Sequence, residues 1–394
     1  MTTSELPARP APGQPAQQRF GDRYVLVADR VFDGTRLLEH HAVAVSGDRI
    51  AAVAPDDPLP SPGPRIRFAG TLLPGFIDLH GHPRLGQVPP ETILRHGITT
   101  IRDTGGPLLP PSGGDGRLRV LSAGPILTAP DGYPIPVFGP GTGLEVPDVP
   151  TARTAVARLV VGGAALIKIA LEPGGSPGAP WSSHQLGAPP PWPIPAPEVV
   201  RAIVEEAHGH GRIVSAHLSG PAGAGLALEA GVDEWAHVPC DPISDDLVAR
   251  AAAAGVRVVS TLDTESHCTG VADNASRLVQ AGVRLLYGTD LAHPDVPWGI
   301  NAQELQLMLY AGRGALTPLE VLSAATARAG EQLGLAPLGR LVEGAPADLI
   351  GVRGNPLEQL KLLEYPDLVV SGGTVMAGEA TTPRWPLATT TPSV

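Results

Sequence analysis

Cysteine is almost absent: Cys240 and Cys268 are the only two in 394 residues, too few for a disulfide framework or a cysteine-rich zinc site. Charge is scarce at 17%, and basic residues are in deficit, 28 Lys and Arg against 39 Asp and Glu. The resulting net charge of −11 argues against nucleic acid and against an anionic membrane as partner. No apolar run reaches the roughly 18 residues of a membrane-spanning helix, and the N-terminus lacks the apolar core of a secretory signal. These absences predict a soluble, cytoplasmic protein.

What is abundant bounds the fold. Hydrophobic residues make up 43% of the chain, enough for a large core and too many for wholesale disorder. Glycine (48) and proline (45) form nearly a quarter of the chain without a collagen-like period, which predicts many loops. Residues 1–21 and 381–394 read as tails. Alternating apolar segments near both ends (Tyr24-Val-Leu-Val-Ala, His41 to Ala54, Ala347 to Val352, Leu368 to Met376) predict one small β-sandwich domain built from residues 22–70 and 336–380.

Between them, residues 71–335 alternate short apolar runs with Ala/Leu/Glu-rich stretches. Strands are expected at 72–80, 98–103, 119–127, 165–171, 213–217, 232–238, 256–262 and 283–290. Helices are expected at 151–162, 196–209, 221–230, 243–254, 271–281, 301–312 and 317–333. Gly211, Gly231, Gly255 and Gly282 fit helix C-caps leading into the next strand. About eight βα units of this size predict an α/β fold, a (β/α)8 TIM barrel, with a Pro/Gly-rich insertion at 172–197.

In such a barrel the C-terminal ends of the strands carry the chemistry. The first run ends Phe76-Ile-Asp-Leu-His80-Gly-His82, and side-chain alternation points His80 and His82 the same way, as two ligands of one metal require. The fourth run buries Lys168 among apolar neighbours, a costly place for an ammonium. A snorkelling stem, a Schiff-base nucleophile and a metal-bridging carbamate made with CO2 all remain open for it. The fifth, sixth and eighth runs end at His217, His237 and Asp290. Metal-competent groups at so many strand ends predict a metal site.

In this order and on these strands, the set resembles the amidohydrolase superfamily, in its imidazolonepropionase-like and prolidase-like branch. The stretches Leu73-Pro-Gly-Phe-Ile-Asp-Leu-His-Gly-His, His96-Gly-Ile-Thr-Thr-Ile-Arg-Asp and Ala230-Gly-Val-Asp-Glu-Trp-Ala-His carry the likeness. So does Leu338 to Ile350, and the resemblance covers roughly 22–378. It implies a binuclear centre of two divalent ions, zinc by default: His80 and His82 on a buried ion, His217 and His237 on a more exposed one, carboxylated Lys168 between them. Asp290 would be both ligand and general base toward a bridging hydroxide. The implied activity is hydrolysis of a C–N bond in a small amide, cyclic amide or N-acyl/peptidyl amino acid. The rivals are a deaminase or a lactone/phosphoester hydrolase on the same centre, and a non-catalytic binding or scaffold member. Metal identity, substrate and a possible homo-oligomer stay open.

The sequence departs from the prolidase-like pattern in two places. His217 is followed by Leu218-Ser219 where a tyrosine is expected, and the third strand is followed by Asp131-Gly132-Tyr133 where Gly-Gly-His is common. Tyr133 is a candidate replacement for either group. Gly220, where a deaminase pattern would place an acid, disfavours that rival. Arg102 either grips a substrate carboxylate or holds loops together. His267 and His293 are candidates for substrate contact, Trp181, His184 and Trp192 sit in a possible lid, and Cys240 reads as a small buried thiol.

Overall fold

The computed structural model describes residues 21–55, 63–172, 193–293 and 296–376, together with the backbone of Gln17–Gln18. The expected C-terminal tail, most of the N-terminal one, and Trp181, His184 and Trp192 lie outside the described residues.

Segments from both ends of the chain form one continuous nine-stranded sheet. Its order is Gln17–Gln18, Thr374–Met376, Leu368–Ser371, Leu349–Val352, Arg65–Pro74, Arg23–Phe32, His41–Ser46, Arg49–Pro55, with Leu37–Glu39 also on Arg23–Phe32. The seam is Arg65–Pro74, antiparallel to Leu349–Val352 on one side and parallel to Arg23–Phe32 on the other. Leu26, Val43, Ile66, Phe68, Leu349 and Val370 pack together in its core. The hairpin His41–Ser46/Arg49–Pro55 turns at Gly47, whose φ of 59° suits a residue without Cβ.

The expected strand 72–80 is two strands. Pro74 ends the terminal sheet, and Phe76–Gly81 begins the barrel. Gly75 makes the transition because a Cβ there would lie 2.2 Å from Thr99 Oγ1. The barrel strands that follow are Ile98–Asp103, a divided third strand (Arg119–Ser122 and Ile126–Thr128), Ile167–Ala170, Val214–His217, Glu234–Trp235, Arg257–Val259 and Arg284–Leu286, with parallel pairing along the series. The third strand breaks at Ala123-Gly124-Pro125: its first half pairs with Ile98–Asp103 and its second with Ile167–Ala170. Leu79 N–H donating to the Tyr287 carbonyl and His82 N–H to that of Leu291 close the eighth strand onto the first.

The helices follow sequence logic. Asp148, Ser244 and Asn301 accept from first-turn N–H groups, and Gly231 and Gly255 end their helices in the left-handed region. The helix expected over 317–333 is Pro318–Ala324 followed by Ala327–Gln332. Between them the Ala325 carbonyl accepts from Ile77 N–H of the first barrel strand, and Thr326 leaves helical geometry. Among the described residues no helix is long and apolar enough to cross a membrane.

Candidate metal centre

Five of the candidate ligands, His80, His82, His217, His237 and Asp290, stand at the ends of barrel strands or just past them. The sixth, Lys168, lies within the fourth strand. Asp290 follows the eighth strand in the left-handed region, φ 59°, a conformation that aspartate tolerates better than most residues. Its N–H donates to the His80 carbonyl, tying the mouth of the eighth strand to that of the first. Asp290 Oδ1 then lies 3.3 Å from His82 Nε2 and 3.6 Å from His80 Nε2. Lys168 Nζ is 3.5 Å from His80 Nε2. Across the mouth, His217 Nδ1 and His237 Nε2 are 3.0 Å apart, and the His80 and His237 rings approach to 4.5 Å between centroids.

The surroundings orient these rings. His80 Nδ1 lies 2.9 Å from the Ala236 carbonyl oxygen, which only accepts, so Nδ1 carries the proton and Nε2 is bare toward the site. Asp78 holds the same segment, accepting from His80 N–H and from the N–H and hydroxyl of Thr289. His237 Nδ1 meets Thr261 Oγ1 at 2.9 Å and Glu265 Oε1 at 3.5 Å, which leaves Nε2 for the site.

Burial sets the protonation. It pushes His237 down to about 3 and His80 well below its ordinary value, so both rings are neutral at physiological pH. It also pulls the Lys168 amine down to about 7. At Asp290 burial acts upward, but His80, His82 and His237 outweigh it and hold the carboxyl well below the usual range.

These residues fit divalent cations. Asp290 Oδ1 lies 3.3 Å from His82 Nε2 and 3.6 Å from His80 Nε2, inside the roughly 4.4 Å that two ligand bonds of about 2.0–2.2 Å can span across one ion. Without a cation, the bare Nε2 lone pair of His80 would face a buried carboxylate oxygen. A metal turns that opposition into two ligand bonds.

The remaining expectations divide. Tyr133 stacks on His217 with centroids 4.6 Å apart and planes 22° apart. Its phenol is pushed up by burial and by the charges of Asp290 and Glu265, which places it at the site. His293 lies close enough for its charge to act on His237, whereas His267 is exposed beyond the seventh strand. Arg102 is buried inside the barrel: Nη1 and Nη2 bond Glu234 at 3.2 and 2.5 Å, and Nε donates to the Leu79 carbonyl. Each of its three nitrogens is engaged within the protein, and of its two readings the geometry favours the structural one.

Two positioning groups escaped the sequence reading. Thr261, near the end of the seventh expected run, and Glu265, just past it, both follow the observed strand Arg257–Val259, and polar residues at a strand end were the available signal. Cys240 is buried, as expected, but it is bonded to Cys268 across 28 residues. The thiol expectation is therefore corrected: the bond fastens the loop after the sixth strand to the loop carrying Glu265, which brings the two sulfurs together.

Comparison with known proteins identifies the family and the fold. The model of the amidohydrolase family matches residues 71–376, and that of the NagA composite domain matches residues 23–73. An ochratoxinase of Aspergillus niger is 35% identical over 206 residues, 46% of this chain. That stretch spans only 42% of the relative. The crystal structure of A. niger ochratoxinase superposes with a TM-score of 0.72 at 25% identity, covering 91% of this chain and 96% of that one. An imidazolonepropionase of Rubrobacter xylanophilus is 28% identical over 355 residues, 78% of this chain and 83% of the relative. A putative prolidase from Bifidobacterium longum has TM-score 0.72 at 26% identity, covering 90% and 94%.

Proposed function

The chain belongs to the amidohydrolase family, and from that premise we propose that it hydrolyses a C–N bond of a small amide, cyclic amide or N-acyl/peptidyl amino acid with the help of divalent metals. The observation that carries the reading is the convergence of bare imidazole nitrogens, a carboxylate held ionised and a buried amine at the barrel mouth.

In this reading His80, His82 and Asp290 would hold one ion, and His217 with His237 the other. Lys168, whose neutral amine would add to CO2 through a new N–C bond with loss of one proton, would supply the carbamate oxygens as a further anionic ligand. Zinc is the default for an imidazole-rich set. When bound, the ions lower the pKa of water and polarise the scissile carbonyl. The protein's own groups do the rest. Asp290 takes a proton from the attacking water on its carboxylate and returns it to the leaving nitrogen. Tyr133, fixed against His217, aims its phenol at the site as a hydrogen-bond donor to the carbonyl oxygen as charge develops there. Packing His80, Lys168 and His237 at 2% exposure or less keeps bulk water from competing.

The test is metal content per chain in protein purified without chelators and with bicarbonate present, followed by amide and dipeptide turnover. Two ions in the wild type, falling in Lys168→Ala together with activity, is the expected result. One ion, with activity indifferent to Lys168, moves the reading to a deaminase. No ion after careful reloading sinks the catalytic assignment.

A further inference from the structure

The opposite end of the barrel carries an arrangement that the metal centre does not use. Arg257 and Arg284 are the first residues of the seventh and eighth barrel strands, and the parallel register sets them side by side. Each stands two residues before a buried apolar side chain of the barrel interior, Val259 and Leu286, so both are directed to the inside of the N-terminal mouth. There they line one cavity of about 70 Å³ with Arg328, Leu286, Glu331 and Gln332.

Adjacent like charges in a sheet are destabilising and call for a neutralising partner. The acid placed to serve is Glu234, the register neighbour of Arg257 on the sixth strand. It is already committed: one oxygen bonds Arg102, and the other bonds Arg102 and the Gln332 amide. Arg328 reaches Glu320 at 3.8 Å, away from the cavity lining. Among the described residues, Arg257 and Arg284 have no side-chain hydrogen bond or ion pair, and Glu331 is the one carboxylate in the lining. A chain of net charge −11 thus gathers three guanidiniums around one small cavity and leaves two of them unpaired.

We infer that this cavity is a binding site for a tetrahedral oxyanion, inorganic phosphate or the phosphoryl group of a small phosphomonoester. Guanidiniums present paired N–H donors that match two oxygens of a phosphate at once, and each loses little rotamer freedom in doing so. The cavity exceeds the roughly 10–15 Å³ needed for one water several times over, so such an anion fits with part of its hydration. Arg284, exposed at the rim, leaves the ligand a way in.

The experiment is calorimetric titration and thermal unfolding of the metal-loaded full chain with phosphate, and separately with glycerol phosphate, each against chloride at matched ionic strength. The expected result is saturable binding with a rise in Tm for at least one of the two, weakened tenfold or more in Arg284→Gln and in Arg328→Gln. The first arm reads free phosphate and the second an esterified phosphoryl group. Arg284→Gln is also expected to unfold no earlier than wild type without phosphate, because it removes an uncompensated repulsion. Binding that survives both substitutions belongs to the catalytic metals and overturns the inference, as does a response that chloride reproduces. These outcomes leave the proposed hydrolase activity untouched, since both arginines stand at the far end of the barrel.

Discussion

Glu304 lies outside the metal centre yet supports it, and its replacement by glutamine tests that support. The side chain is fully buried on the helix Ala302–Ala311. Its two oxygens accept from Leu262 N–H at 2.9 Å and Asp263 N–H at 2.7 Å, the start of the loop that carries Glu265 to His237. Burial pushes the carboxyl up to about 7 from an ordinary 4.5, against the pull of the hydrogen bonds from Ser260 and from those two amides. The folded state therefore keeps its proton where the unfolded chain has lost it. Stability from this group is complete below about pH 4.5 and drains away as pH rises to about 7. At roughly 1.4 kcal/mol per pH unit between the two values, the loss is on the order of 3 kcal/mol. Glu304→Gln does not ionise, so it escapes that slope, but its amide turns a donor toward one backbone N–H, which costs about 1–3 kcal/mol. The variant is expected to be less stable than wild type near pH 5 and about equal to it, or slightly more stable, at pH 8. Urea midpoints at four pH values, both proteins saturated with the same metal, measure this. A gap that stays constant from pH 5 to 8 refutes the reasoning.

Two further expectations concern groups with opposite duties. Glu234→Ala strands the Arg102 guanidinium inside the barrel, and breaking a buried pair in this way costs about 3–5 kcal/mol, read as a large drop in Tm. Asp290→Asn keeps the shape but cannot take a proton; kcat is expected to fall by about 10²–10⁴, with the fold intact by circular dichroism. Retained turnover in that variant removes Asp290 as the general base.

The barrel was legible because its strands are short apolar runs separated by helices with ordinary caps and glycine stops, and these are local signals. His80, His82, His217, His237 and Asp290 were legible for a related reason: a polar residue that ends an apolar run, repeated strand after strand, leaves a pattern even when the strands lie far apart in sequence. Local signals failed where a neighbour from elsewhere decided. The run 72–80 looks continuous, yet Thr99 pressing on Gly75 and the pairing of Leu349–Val352 with Arg65–Pro74 divide it between two sheets.

By itself, the sequence determined the periodicity, the alternation of helix and strand, and which side chains have the chemistry of metal ligands. Only the tertiary structure decided which partner each buried polar group takes. Arg102 looked equally suited to a substrate carboxylate until Glu234, 132 residues away, occupied it. Cys240 looked like a thiol until the seventh-strand loop brought Cys268 to it. Thr261 and Glu265 had no role until the barrel's curvature set them against His237. The physical reason is common to all three. Apolar burial depends on a residue's own surface and its local period, whereas a buried polar group is settled by one directional partner, and that partner is placed by the fold.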